Sequence, residues 1–314
     1  VTQVLHAEWT KLRTLASTGW LLLGVVVLTA AVSAATAAAT SCPAGNCADD
    51  PAKIGLTGIY LGQAVVAVTA VLTISGEYST GMIHLTLAAM PRRIAVLAAK
   101  AVALTGLILG AGVAAVGFSL LAGRLILPGR GIGPPLSLAD GPVLRAAVGS
   151  VLYLMLIALL SLGVAALIRD AAAAIGIVLG LLYLFPIIAA VVGDPHLARH
   201  INQIGPMTAG LAIEATKNLQ NQPIGPWAGL GVLAAWAAAA LVAGGLALRL
   251  RDALRGAGTP WGRARGWAAC SPICPLACAN GSSAPSSGSG RSRRRPGRDD
   301  ARSPRPNESG KVFA

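Results

Sequence analysis

Six stretches of the chain, 19–40, 55–75, 96–121, 143–168, 171–193 and 227–248, are almost wholly apolar, and none holds an internal Asp or Glu. A bilayer core of about 30 Å is crossed by roughly 20 helical residues, so each stretch is long enough to span. In hydrocarbon every backbone polar group needs a partner within its own structure, and a lone apolar segment meets that need only as a helix. The expected fold class is therefore an all-α integral membrane protein with six transmembrane helices. A soluble bundle would need six helices apolar on every side with almost no polar covering. Lys100 and Arg145 stand close to the ends of their stretches, where long basic side chains reach the headgroups. Composition agrees: 54% of the 314 residues are hydrophobic and 12% are charged, against about 25% charged in a soluble domain.

The first stretch has Lys11 and Arg13 ahead of it, as a signal peptide does. Its length and the five spans that follow make it a retained helix. Orientation is read from Lys and Arg near the helix ends. With the N-terminus inside, the inner side carries eleven such residues and the outer side six, although five of the eleven follow the last span. The Lys11/Arg13 pair tips the choice, and six spans then put both termini in the cytoplasm. The organisation expected is a cytoplasmic amphipathic segment over 1–18, a six-helix domain over 19–252 and a basic low-complexity tail over 253–314. Arg169-Asp170 alone separates the fourth and fifth spans and predicts a tight hairpin, while Pro186 predicts a kink or an early end to the fifth. Gly58/Gly62, Gly106/Gly110 and Gly176/Gly180 have the GxxxG spacing that lets helices approach closely, yet 38 glycines produce such pairs by chance.

A formal net charge of +13 raises the question of nucleic acid. Residues 1–248 hold 12 Lys/Arg against 8 Asp/Glu, whereas residues 249–314 hold 13 against 4. Most of the excess thus sits in a Gly-, Ser-, Pro- and Arg-rich tail that reads as disordered, and no specific nucleic-acid partner is expected. There is no GxxxxGK[ST] phosphate loop, no HExxH and no GxSxG, so no catalytic residue, cofactor or metal is assigned. His196 and His200 share a helical face but read as a solvated pair. Cys270, Cys274 and Cys278 lack a fourth ligand nearby. Cys42 and Cys47 bracket a short outer loop and are a possible disulfide in an oxidising compartment; two free thiols fit the sequence as well. Residues 194–226 form a long last outer loop, in which 207–219 reads as a short helix with Leu211, Ile213 and Leu219 apolar and Glu214 and Lys217 polar.

The connection over 76–93 is the most specific feature. From Gly81 to Ala89 its apolar residues Met82, Leu85, Leu87 and Ala89 suit a short helix along the membrane surface, which Pro91 would stop and Arg92 and Arg93 would hold at the phosphates. An ordinary connector with a positive-inside pair fits the same residues. With Glu8-Trp9-Thr10-Lys11-Leu12-Arg13-Thr14 and Val96-Leu97-Ala98-Ala99-Lys100, this stretch resembles the membrane permeases of type-2 ABC exporters, particularly actinobacterial members, over roughly residues 1–252. The resemblance implies a permease subunit in the bacterial cytoplasmic membrane, paired with a second permease copy or a homologous permease. ATP would be bound and hydrolysed by a separate ABC ATPase subunit, so the chain itself would not be the enzyme.

By the same resemblance the coupling helix lies in the 76–93 loop, with Glu77 and Gly81 before it, Met82 and Leu85 on it, and Pro91 and Arg92 at its exit. Glu8, Trp9, Lys11 and Arg13 would belong to an interfacial N-terminal helix. The tail after Asp252 departs from the family pattern. The alternative from another class is a non-transporting membrane scaffold or sensor whose basic tail recruits a partner. Spans without internal carboxylates favour an amphiphilic or apolar cargo over a coupled ion.

Overall fold

The computed structural model describes residues 16–40, 50–79, 93–130, 132, 136–137 and 139–257. The chain divides into two units, Val1–Thr259 and Pro260–Ala314, and every described residue belongs to the first. The helices are α1 (Ala16–Ala39), α2 (Pro51–Gly55), α3 (Ile59–Ser79), α4 (Arg93–Ile126), α5 (Gly141–Ile168), α6 (Ala171–Val191), α7 (Pro195–Ile204), α8 (Pro206–Gly210) and α9 (Pro226–Ala257). Short 3-10 turns lie at Pro128–Arg130, Leu211–Glu214 and Leu219–Asn221, and no strand occurs among the described residues. Six helices, α1, α3, α4, α5, α6 and α9, are long and apolar enough to cross a membrane. The described residues are thus all-helical, with six candidate membrane spans by length and composition.

The spans run past the apolar stretches from which they were read. α3 continues to Ser79, α4 has 34 residues and α9 continues to Ala257. At 1.5 Å per residue α4 is about 50 Å long, well beyond a bilayer core. The added turns of α3 and α9 carry polar residues and lie beyond their apolar windows, whereas α4 stays apolar to its end at Ile126. The α5–α6 connection is as tight as expected. Arg169 takes the left-handed conformation (φ 65°) that reverses the chain, and Asp170 caps α6 by accepting from the Ala173 amide at 2.7 Å. α6 carries Pro186 and still runs unbroken to Val191.

α5 is the central helix. Of its most apolar window 61% is buried, against 17% for α6. It packs most extensively on α9, where Gly163 and Gly244 face each other: a Cβ on Gly163 would lie 2.5 Å from the Ala240 carbonyl carbon. Only backbones in near contact explain that geometry. α3 packs on α5 and α1, and α1 also covers α4. The Gly58/Gly62 pair marks the crossing of α3 on α1, with Gly58 donating to Ser33 Oγ at 3.0 Å. By contrast Gly110, Gly176 and Gly180 face open space. Large side chains such as Trp20, Leu125, Ile187, Val191 and Val242 point outward, as a lipid-facing belt requires. Lys100 is turned into the protein, only 6% exposed, rather than reaching outward for the headgroups.

Candidate functional site: a polar cluster sealed beneath the last loop

Between α6 and α9 the chain makes an excursion along the bundle. Asp194 caps α7 by accepting from the His196 amide at 2.8 Å, and His196 and His200 are both exposed on that helix. Pro206 then starts α8, and from Pro206 to Gly210 the chain turns inward. Met207, Ala209, Leu211, Ala212, Ile213, Glu214 and Ala215 are all buried. The segment lies against α5, α6 and α9, and its neighbours are shaped for it. A Cβ on Gly149 of α5 would fall 2.0 Å from Ile213 Cγ1, and one on Gly229 of α9 would fall 2.0 Å from the Ala209 carbonyl oxygen. Trp236 of α9 donates from Nε1 to the Ile204 carbonyl at 3.0 Å and meets Phe185 of α6 edge-on, with ring centroids 6.4 Å apart.

Two charged side chains fasten the far end of this segment. The Asp50 carboxylate, which caps α2 through the Ala52 amide (3.1 Å), also accepts from the Thr216 amide, from Thr216 Oγ1 (2.5 Å) and from the Lys217 amide (2.9 Å). Arg145 of α5 donates to the Ala215 carbonyl at 2.7 Å. These are charge-assisted bonds, roughly twice as strong as neutral ones. Residues from the α1–α3 connection, the start of α5 and the α6–α9 connection thus meet at one end of the bundle.

Beneath the segment lies a polar knot within the spans. Tyr153 of α5 is wholly buried and donates to Gln63 Oε1; Gln63 donates in turn to the Tyr60 carbonyl (3.1 Å) and to Met207 Sδ (3.2 Å). Tyr183 of α6 donates to the same Tyr60 carbonyl at 2.5 Å. Gln63 joins α3, α5 and the inserted segment, and the Tyr60 carbonyl adds α6. Buried polar networks of this kind hold together only when their members are satisfied. In this cluster Arg145 Nε and, above all, Glu214 depart from that rule. Glu214 is fully buried, and neither carboxyl oxygen has a hydrogen-bond partner. Burial pushes its carboxyl well above the usual range; Lys53 pulls it down and Asp50 adds to the rise.

The helix expected over 207–219 is corrected. The chain forms α8, a 3-10 turn and then extended backbone at Ala215. Asp50 takes the amides of Thr216 and Lys217 that a continuing helix would have used, and tightening after Gly210 turns Glu214 inward rather than onto a wet face. Arg145, read as reaching for headgroups, binds a protein carbonyl instead. Of the residues assigned to coupling, Glu77 lies in the last turn of α3, while Gly81, Met82, Leu85, Pro91 and Arg92 lie outside the described residues. So do Glu8, Trp9, Lys11 and Arg13 of the N-terminal segment, and Cys42 and Cys47. The sequence reading missed Asp50, Gln63, Arg145, Tyr153 and Glu214 as a group. Gln63 and Arg145 were visible as lone polar residues in apolar runs, and Glu214 as a lone carboxylate between Ile213 and Ala215.

Among the described residues no group of three His, Cys, Asp or Glu side chains converges on a common point. Elsewhere, an apolar groove of about 650 Å³ lies open on the outer face between α4, α5 and α9, lined by residues including Leu97, Val102, Thr105, Leu159 and the outward-pointing Val242. No protein-family model matches the chain, and no curated protein matches it.

Proposed function

We propose that the chain is the permease subunit of an ATP-driven exporter, paired with a second permease and driven by a separate ABC ATPase. The observation that carries this reading is the asymmetry of the six-span bundle. One end is closed by the inward-folded segment 206–215, held by Asp50 and Arg145. At the other end α3 runs to Ser79 and α4 starts at Arg93, on either side of the 80–92 connection. In this reading the closed end faces outward, and the ATPase docks on the connection at the opposite end. Glu77 leads into the coupling helix, and Arg92 leaves it. ATP-driven closure of the ATPase pair pushes on that connection and tilts α3 and α4, and a two-state bundle alternates between inward- and outward-facing forms. Spans without internal carboxylates suit an amphiphilic or apolar cargo. The test is affinity isolation of the full chain from membranes of cells that also express the neighbouring genes. An ATP-binding-cassette ATPase and a second permease chain are expected to come with it. Isolation as a single chain under those conditions overturns the reading.

A further inference from the structure

We propose that Glu214 is a proton-binding site: it carries a proton while the 206–215 segment is seated, and loss of that proton frees the segment from α5 and α9. The inference stands on the packing of this one side chain and holds whether or not the chain is a transporter.

The surroundings leave a proton as the only occupant. Both carboxyl oxygens of Glu214 are shut off from anything the size of a water molecule, and neither has a hydrogen-bond partner. There is no room beside them for an organic ligand or a hydrated ion. A bare metal ion would need further ligands. The carboxylate that acts on it most strongly, Asp50, already accepts from Ala52, Thr216 and Lys217, and no cluster of metal-binding side chains occurs among the described residues. A carboxylate so enclosed and unpaired is neutralised rather than kept charged. Among the described residues the surroundings favour the neutral form, Lys53 alone excepted. The turn before α2 contributes the negative Asp50, and α2 itself contributes the exposed Lys53, the one group that favours the ionised form. α3 and α5 present the neutral phenols of Tyr60 and Tyr153. Arg145 of α5 donates to the Ala215 carbonyl. α9 has no titratable side chain before Arg249, and Tyr183 is the only one on α6.

The part of this end that carries Glu214 rests on Gly149 through the Ile213 side chain and on Gly229 through the Ala209 carbonyl, and release of the segment breaks both contacts. Once in water, Glu214 is an ordinary glutamate that ionises near pH 4.5. Between that value and the higher one that it has when seated, the seated form holds one proton more than the released form. Rising pH therefore favours release, and the seated-to-released ratio falls about tenfold per pH unit across the window. Below pH 4.5 both forms are protonated and the seat is at its firmest.

The test uses the full chain in lipid nanodiscs with carbon-13 in the glutamate side-chain carboxyl. The chain has four glutamates, Glu8, Glu77, Glu214 and Glu308, so four signals are followed from about pH 4 to about pH 9. One signal is expected to stay in its protonated form through neutral pH, to survive in Glu77→Gln and to vanish in Glu214→Gln. In parallel, amide exchange over 206–217, corrected for the intrinsic pH dependence of exchange, should accelerate about tenfold per pH unit in the unmodified chain and stay level in Glu214→Gln. The proposal is overturned if all four glutamates titrate in the ordinary range, a result that needs no variant. It is equally overturned if the high-titrating signal persists in Glu214→Gln, or if exchange over 206–217 responds to pH identically in the two proteins.

Discussion

Single residues decide how closely the backbones meet. A Cβ on Gly58 would sit 1.9 Å from the Thr29 carbonyl oxygen, which is backbone and cannot swing aside. Gly58→Ala is expected to cost about 1–3 kcal/mol and to lower the melting temperature of the purified protein in detergent. Gly176→Ala is the control. Nothing lies within 4 Å of its new methyl group, so melting should be unchanged or slightly raised by better helix propensity. The two positions belong to GxxxG pairs of identical spacing, and the spacing alone does not say which pair is used; that depends on which face of each helix meets a neighbour. Asp50 shows the opposite case, a residue whose sequence context looks ordinary. Its carboxylate is the acceptor for three donors on Thr216 and Lys217. Asp50→Ala should weaken the attachment by about 1.5–3 kcal/mol, seen as faster amide exchange at 216–217 with the spans unaffected.

At the scale of elements, the spans were legible because hydrocarbon tolerates little but continuous apolar helix, and that demand is written into composition over about 20 residues. Their true ends were not legible. The extra turns of α3 and α9 are polar and leave no hydropathy signal, while that of α4 packs Gly123 against Leu136 and Gly55. The inserted segment was legible only as a loop long enough to hold a helix. Its change to extended backbone at Ala215 is held by Asp50, more than 150 residues away in the chain, next to the inward-turned Glu214. No local periodicity reports such a contact. The seating of the segment is tested by Gly149→Val, which drives a branched side chain into Ile213. Loss of about 1–3 kcal/mol is expected, with faster exchange concentrated over 206–215. Equal protection of that segment in variant and parent would show that it does not rest on α5.

At the scale of the whole molecule, six spans put the α3–α4 connection and the Asp50–Lys217 cluster at opposite ends of the bundle. On a background with the five natural cysteines replaced, Lys217→Cys should react with a membrane-impermeant thiol reagent added to intact cells. Ser79→Cys should react only after the membrane is opened. The positive-inside reading predicts that polarity, and the reverse labelling would invert it. The central claim is that ATP hydrolysis on a partner drives this bundle through the 76–93 connection. It is tested most directly by ATP turnover of the isolated complex in lipid, with and without Glu77→Ala. The account predicts that the permease stimulates turnover and that the substitution returns it to the level of the ATPase alone while leaving the complex assembled. Stimulation unaltered by changes at Glu77, Gly81 and Arg92, or no stimulation at all, would contradict it.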